Sequence, residues 1–127
     1  MNISEINRSL EKLCTINTIG LNEYEVKTNA VFSNGDPIKI HLINENGKWY
    51  FTDKKETLKY MNEVYDLKAT DVKHCITAVI KIYGFSIVAG CLHAELKDET
   101  TIANKFFDYI MCIGQLTNMY AFFDKPE

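Results

Sequence analysis

The chain has 127 residues, which is enough for one domain with one hydrophobic core. Its formal net charge is -3 at pH 7, and both signs of charge are mixed along the sequence. Because nucleic-acid and anionic-membrane binders need a basic surface, this balance argues against direct nucleic-acid binding and against membrane binding.

The beginning of the chain and its cysteines predict a cytoplasmic location. Residues 1–5 lack the basic and apolar runs of a signal peptide, and no stretch reaches the roughly eighteen apolar residues of a membrane span. The cysteines stand far apart without a C-x-x-C pair, which predicts free core thiols in a reducing compartment. They are Cys14, Cys75, Cys91 and Cys112.

The first third of the sequence predicts a helix followed by a strand. Apolar residues at three- and four-residue spacing between Ile3 and Cys14 predict an amphipathic helix, which Asn2 and Glu5 start. Between residues 22 and 32 the apolar spacing changes to two, which predicts a half-buried strand.

Two further strands are predicted in an antiparallel meander with the first. Turn residues at 33–37 precede a strand that starts at Ile38, and a third strand covers residues 48–52. The Asn46-Gly47 pair between these strands is a strong signal for a hairpin turn. The meander therefore has three predicted strands.

The remainder of the chain predicts two helices, a short strand pair and a long final helix. Asp53 followed by Glu56 has the form of a helix cap, and Gly84 occurs where a left-handed helix end is expected. The predicted elements are a helix ending near 64, a helix over 70–83, strands at 85–89 and 91–96, and a helix over 101–122.

The order of these elements predicts a single α+β domain over residues 1–127. Strands and helices are segregated along the chain, which favours helices packed on one face of an antiparallel sheet. A meander alone leaves its apolar face open to water, so the long C-terminal helix is the predicted cover.

Several turn and helix-end motifs carry a family resemblance. They are Gly35-Asp36-Pro37-Ile38-Lys39-Ile40, Trp49-Tyr50-Phe51-Thr52-Asp53 before a helix with Leu58, and Ile82-Tyr83-Gly84. In these motifs, over roughly residues 22–120, the chain resembles the family called domain of unknown function 1828, small proteins of bacteria, phages and prophages. Lys54-Lys55 stands where that family usually has a glycine. The resemblance implies a mobile-element setting and no particular reaction.

Four residues are candidates for a metal-dependent nuclease. Glu25 and Lys27 share a strand face, as do a metal ligand and the nearby lysine in restriction-type nucleases. Asp36 and His41, later in the sequence, are the other two candidates. Alternating charge on the wet face of a strand explains the pair equally well. The three histidines lack metal-ligand spacing, so neither a metal nor a cofactor is predicted.

The long final helix has more apolar surface than one core contact needs. One stripe is the expected core face and contains Phe106, Tyr109, Ile110, Ile113, Leu116 and Tyr120. A second set lies off this stripe and is either buried under neighbouring helices or available to a partner. It contains Phe107, Met111, Asn118 and Phe122.

These observations favour a non-enzymatic phage or prophage protein that binds a host or phage protein. Inhibition of a host defence system, of the anti-CRISPR or anti-restriction type, is the expected outcome of such binding. Two alternatives stay open: a metal-dependent nuclease or other nucleic-acid-processing enzyme, and a structural or regulatory homodimer built on the last helix.

Overall fold

The computed structural model describes residues 1–119, which form four α-helices and one six-stranded antiparallel sheet. The helices are α1 (Ile3–Leu10), α2 (Glu56–Val64), α3 (Thr70–Tyr83) and α4 (Ile102–Thr117). The strands are β1 (Thr15–Gly20), β2 (Glu23–Lys27), β3 (Ile40–Glu45), β4 (Lys48–Thr52), β5 (Ser86–Val88) and β6 (Cys91–Leu96). The predicted α+β class, with a long helix at the C-terminal end, is confirmed.

The meander has four strands rather than the predicted three. The additional strand is β1, which pairs antiparallel with β2, and the opening helix ends at Leu10 instead of Cys14. Because β1 is the outermost strand and is exposed on nearly all of its residues, it lacks the apolar alternation that identifies a half-buried strand. The strand pair β5–β6 continues the same sheet, because β6 pairs with β4.

Three predicted boundaries also move. The strand expected over 22–32 is confined to β2, and the next strand begins at Ile40 rather than Ile38. Between the two strands, Val31 and Pro37 form an isolated bridge. A 3-10 turn at Glu99–Thr101 precedes the final helix, and the helix ends at Thr117. Residues 120–122 of the predicted helix lie outside the described part of the chain.

The hydrophobic core lies between the sheet and the helices. Phe51 on β4 contacts Phe106 and Tyr109 on α4, with ring centroids 6.0 and 5.7 Å apart. The buried Tyr109 hydroxyl donates a hydrogen bond to the Leu92 carbonyl oxygen at 2.7 Å, which joins α4 to β6. The predicted cover of the sheet by this helix is therefore confirmed.

The other face of the sheet is polar. Register places alternate residues of four neighbouring strands on this face, which we call the open face. The two-residue apolar spacing of the first predicted strand requires one apolar face and one polar face. Tyr24 and Val26 accordingly lie on the core face. The open-face residues include Glu23, Glu25, Lys27, His41, Tyr50, Thr52, His93 and Glu95.

The predicted hairpin turn, the end of α3 and the start of α1 are confirmed, whereas α2 begins at Glu56 with Lys55 rather than Asp53 at its N-cap. Asn46 and Gly47 have φ of 53° and 82°, the left-handed pair of a tight hairpin turn. Gly84 ends α3 with φ of 73°. At the start of α1, the Asn2 side chain accepts the Glu5 N–H at 2.9 Å and the Glu5 carboxylate accepts the Asn2 N–H at 3.2 Å.

None of the helices within residues 1–119 combines the length and the apolar character needed to cross a membrane.

Candidate functional site

An apolar groove runs between α3 and α4 on the side of α4 away from the sheet. The two helices run in opposite directions, because Tyr83 at the end of α3 lies near Asp108, whereas Cys75 lines the groove with Met119. The volume of the groove is about 500 Å³. Its lining residues are Cys75, Val79, Met111, Gly114, Gln115, Asn118 and Met119.

The helical period of α4 places Phe107 and Met111 on the outer surface. Phe106, Tyr109 and the other core residues turn the opposite side of the helix to the sheet. Phe107 is 49% exposed and Met111 is 56% exposed, whereas Cys112 and Ile113 beside them are fully buried. The predicted division of α4 into a core stripe and a second apolar face is therefore observed, and Met111 belongs to the groove.

The groove has a bare section of backbone at Gly114. A Cβ atom built at this position meets no atom of residues 1–119 outside the local helix backbone within 4 Å, so the described part of the chain leaves the space in front of the glycine open. Gly114 lies between Met111 and Asn118 on the groove side of α4. A partner could therefore approach the α4 backbone more closely here than at any residue with a side chain.

Asn118 closes one end of the groove and is already hydrogen-bonded. Its Nδ2 donates to the Gly114 carbonyl oxygen at 2.7 Å, and its Oδ1 accepts from the Ser33 hydroxyl at 2.8 Å. These bonds tie the end of α4 to the turn before β3. Of the four predicted partner-binding residues, Phe107, Met111 and Asn118 lie on one side of α4, and Phe122 lies outside the described residues.

Two of the four nuclease candidates share a cavity, and a third lines a different one. Glu25 and His41 are direct cross-strand neighbours on the open face, and Lys27 follows Glu25 on that face. Glu25 and Lys27 line a cavity of about 230 Å³, whereas Asp36 lines a different one of about 350 Å³ beside Phe32. Asp36 also accepts a hydrogen bond from the Asn34 side-chain amide at 3.1 Å.

Metal ligands are not clustered in the described part of the chain. Residues 1–119 contain no group of three or more histidine, cysteine, aspartate or glutamate side chains that could hold a metal ion. The four cysteines are free, and burial raises the pKa of the Cys14 thiol to about 11 and that of Cys112 to about 12. These two thiols are therefore protonated at neutral pH and are poor nucleophiles.

His41 lies in a partly buried charged cluster on the open face. Its Nδ1 is 3.8 Å from a Glu23 carboxylate oxygen, which also forms an ion pair with Lys54. Burial lowers the pKa of His41, Lys54 lowers it further, and the carboxylates of Glu23 and Glu25 oppose the shift. The imidazole is consequently neutral at pH 7.

A further cavity, which the sequence did not predict, lies next to this cluster. It has a volume of about 390 Å³, and Tyr50 and His93 form one wall with ring centroids 4.4 Å apart. Lys54 lies at this cavity, and Lys54 and Lys55 have φ of 51° and 72°, a left-handed backbone in both residues. The residues come together through the register of four strands, and the one sequence signal was the lysine pair in place of a glycine.

Comparison of the chain with models of protein families, with curated proteins and with solved structures finds no match. The resemblance to the domain of unknown function 1828 family therefore stays a prediction that depends on the quoted motifs.

Proposed function

We propose that this chain is a non-enzymatic binding protein of a phage, prophage or related mobile element. It would act by docking on a host or phage protein through the groove between α3 and α4. The observation that carries this proposal is the pair of exposed apolar side chains, Phe107 and Met111, beside a groove whose backbone is bare at Gly114. Exposed apolar surface of this kind is typical of protein-binding sites.

The shape of the groove favours an amphipathic helix of the partner protein. Two antiparallel helices leave a channel between them, and the apolar stripe of a third helix fits such a channel. Cys75 and Val79, one turn apart on α3, form one side, and Met111 on α4 forms the other. Methionine side chains adapt to the shape of what they contact, and Gly114 permits close approach of the partner helix.

The mobile-element setting comes from the motif resemblance, and it suggests what the docking accomplishes. A protein of 127 residues that covers a helix of a larger protein blocks whatever that helix contacts. Blocking of a host defence protein of the CRISPR or restriction type would benefit a phage or prophage, so such a protein is the proposed target.

A photo-cross-linking experiment tests the proposed site. A photoreactive residue replaces Met111, the protein is irradiated in host lysate, and the cross-linked peptide is identified by mass spectrometry. We expect one partner protein, attached through a helical segment with an apolar stripe. The same probe at Asn62, which is exposed on α2, is the control position and should capture no such segment.

Two matched substitutions distinguish binding at the groove from non-specific binding to exposed apolar side chains. Phe107→Ser removes an exposed apolar side chain beside the groove, and Ile82→Ser removes one on α3 that does not line it. Capture should fall with Phe107→Ser and persist with Ile82→Ser. Equal capture by both variants would contradict docking at the groove.

The enzymatic alternative has one supporting observation, the direct cross-strand pairing of Glu25 with His41. Its test is incubation of the purified protein with DNA or RNA and magnesium or manganese. Cleavage by the wild type that is lost in Glu25→Gln would contradict the binding proposal and identify the chain as a nuclease. The homodimer built on the last helix would instead give a dimer mass in light scattering that Phe107→Ser abolishes.

A further inference from the structure

The outer edge of β1 is a second exposed surface, separate from the groove. β1 ends the strand order, and within residues 1–119 its only strand partner is β2. The opposite edge of the sheet is β5, which has only three residues. An unpaired edge strand presents free N–H and C=O groups that can hydrogen-bond to another strand.

This edge lacks most of the features that keep edge strands from pairing. Residues 13–22 contain neither a charged residue nor a proline, although charged residues and prolines commonly protect such edges. One irregularity interrupts the strand, a bulge between Thr18 and Gly20 near its C-terminal end. The segment from Thr15 to Thr18 is regular, and no strand within the described residues pairs with its outer edge.

We infer that β1 pairs with β1 of a second copy of this chain, which joins two sheets into one. Two-fold pairing of a strand with itself is antiparallel, so residues equally distant from the central residue lie opposite each other. Like charges that face each other across strands destabilise pairing, and the neutral segment avoids them. A two-fold axis therefore meets no electrostatic penalty here.

The exposed leucines beside β1 select the register. Leu21 is 93% exposed at the tip of the β1–β2 hairpin, and Leu13 is exposed at the other end of the strand. Asn17 is the residue midway between them. Pairing centred on Asn17 brings Leu13 of each copy towards Leu21 of the other, so two leucine contacts flank the paired strands. In the isolated chain Leu21 is almost fully exposed and Leu13 is 36% exposed.

Sedimentation equilibrium over micromolar to millimolar protein tests the pairing. We expect a dimer, with twice the chain mass of 14.6 kDa, at the high end of this range. Asn17→Lys places like charges on the two-fold axis and should raise the dimer dissociation constant about tenfold. Within its own chain the new lysine faces Glu25 on β2, so the fold of each copy is preserved.

The control is the same substitution on the other edge of the sheet, Ser86→Lys on β5, which should leave the dimer intact. Leu21→Asn should weaken the dimer without unfolding the chain, because the leucine side chain is almost fully exposed. A wild type that remains monomeric at millimolar concentration would overturn the inference. So would a dimer that Asn17→Lys does not weaken.

Discussion

Asp53 links three elements of the fold through one buried carboxylate. Its oxygens accept the backbone N–H groups of Lys55 and Thr57 at the start of α2, both at 3.1 Å, and of Leu92 on β6 at 2.9 Å. The Asp53-Glu56 pattern predicted Asp53 as the cap of α2, but α2 begins at Glu56 with Lys55 at the N-cap, and Asp53 accepts the Thr57 N–H from two residues before the cap. The bond to Leu92 was not predictable, because it joins residues 39 positions apart.

Removal of this carboxylate leaves three backbone donors without an acceptor. We expect Asp53→Ala to lower the free energy of unfolding by about 3 kcal/mol, measured by urea denaturation. Asp66→Ala is the matched control, since Asp66 is exposed and accepts one N–H, from Lys68 at 3.0 Å. That variant should lose about 1 kcal/mol or less, and equal losses in the two variants would contradict the linking role.

His41 makes stability depend on pH in a defined direction. Burial and Lys54 lower its pKa in the folded state below the ordinary value of 6.5. Between these two pKa values the unfolded chain binds a proton that the folded chain does not, so stability falls as pH decreases from 7 through 6.5 towards the folded pKa. Above that window the histidine makes no pH-dependent contribution.

Unfolding measured at several pH values between 7 and 5 checks this effect. His41→Gln should reduce the decline in the free energy of unfolding over this range. His74→Gln, on the exposed side of α3, is the control and retains His41, so the decline that His41 causes should persist. An identical pH profile for wild type and His41→Gln would exclude the assigned cause.

The left-handed backbone at Lys55 stores strain that a glycine would release. A residue with a Cβ pays about 1 kcal/mol or more for such a conformation. We expect Lys55→Gly to raise the free energy of unfolding by about 1 kcal/mol. Lys59→Gly, the same change inside α2, should lower it by about 1 kcal/mol. Two variants with the same sign would refute the strain at Lys55.

Among the elements of the fold, α4 contains a glycine, Gly114, that tests whether the groove is open. Gly114 lies inside the helix, and an added Cβ meets nothing within 4 Å among residues 1–119 apart from the local helix backbone. Gly114→Ala should therefore raise the free energy of unfolding by about 0.5 to 1 kcal/mol, because alanine restricts the unfolded chain more than glycine does. A loss of stability in thermal or urea unfolding would mean that the groove is closed at this point.

Local patterns predicted the elements whose structure is decided locally. The hairpin at Asn46-Gly47 and the end of α3 at Gly84 follow from backbone conformations that glycine and asparagine favour. β1 was missed because pairing with β2, and not burial, holds it in place. The outer position of Met111 followed from the helical period, whereas its neighbours Cys75 and Val79 depend on how α3 packs on α4.

At the scale of the whole molecule, the two proposed surfaces belong to different layers. The groove lies in the helical layer, and the free edge of β1 belongs to the sheet. Pairing through β1 would leave both grooves of a dimer available. Two linked grooves bind a partner that has two copies of the target helix more tightly than one groove does, through effective concentration.

Gly114→Leu tests whether the α3–α4 groove receives a partner helix. The variant fills the open space in front of the backbone and leaves Phe107 and Met111 in place. The measurement is retention of the partner protein that cross-linking identifies. Urea unfolding of the variant and of the wild type is measured in parallel. We expect a folded variant that retains no partner, and retention equal to that of the wild type would contradict docking at the groove.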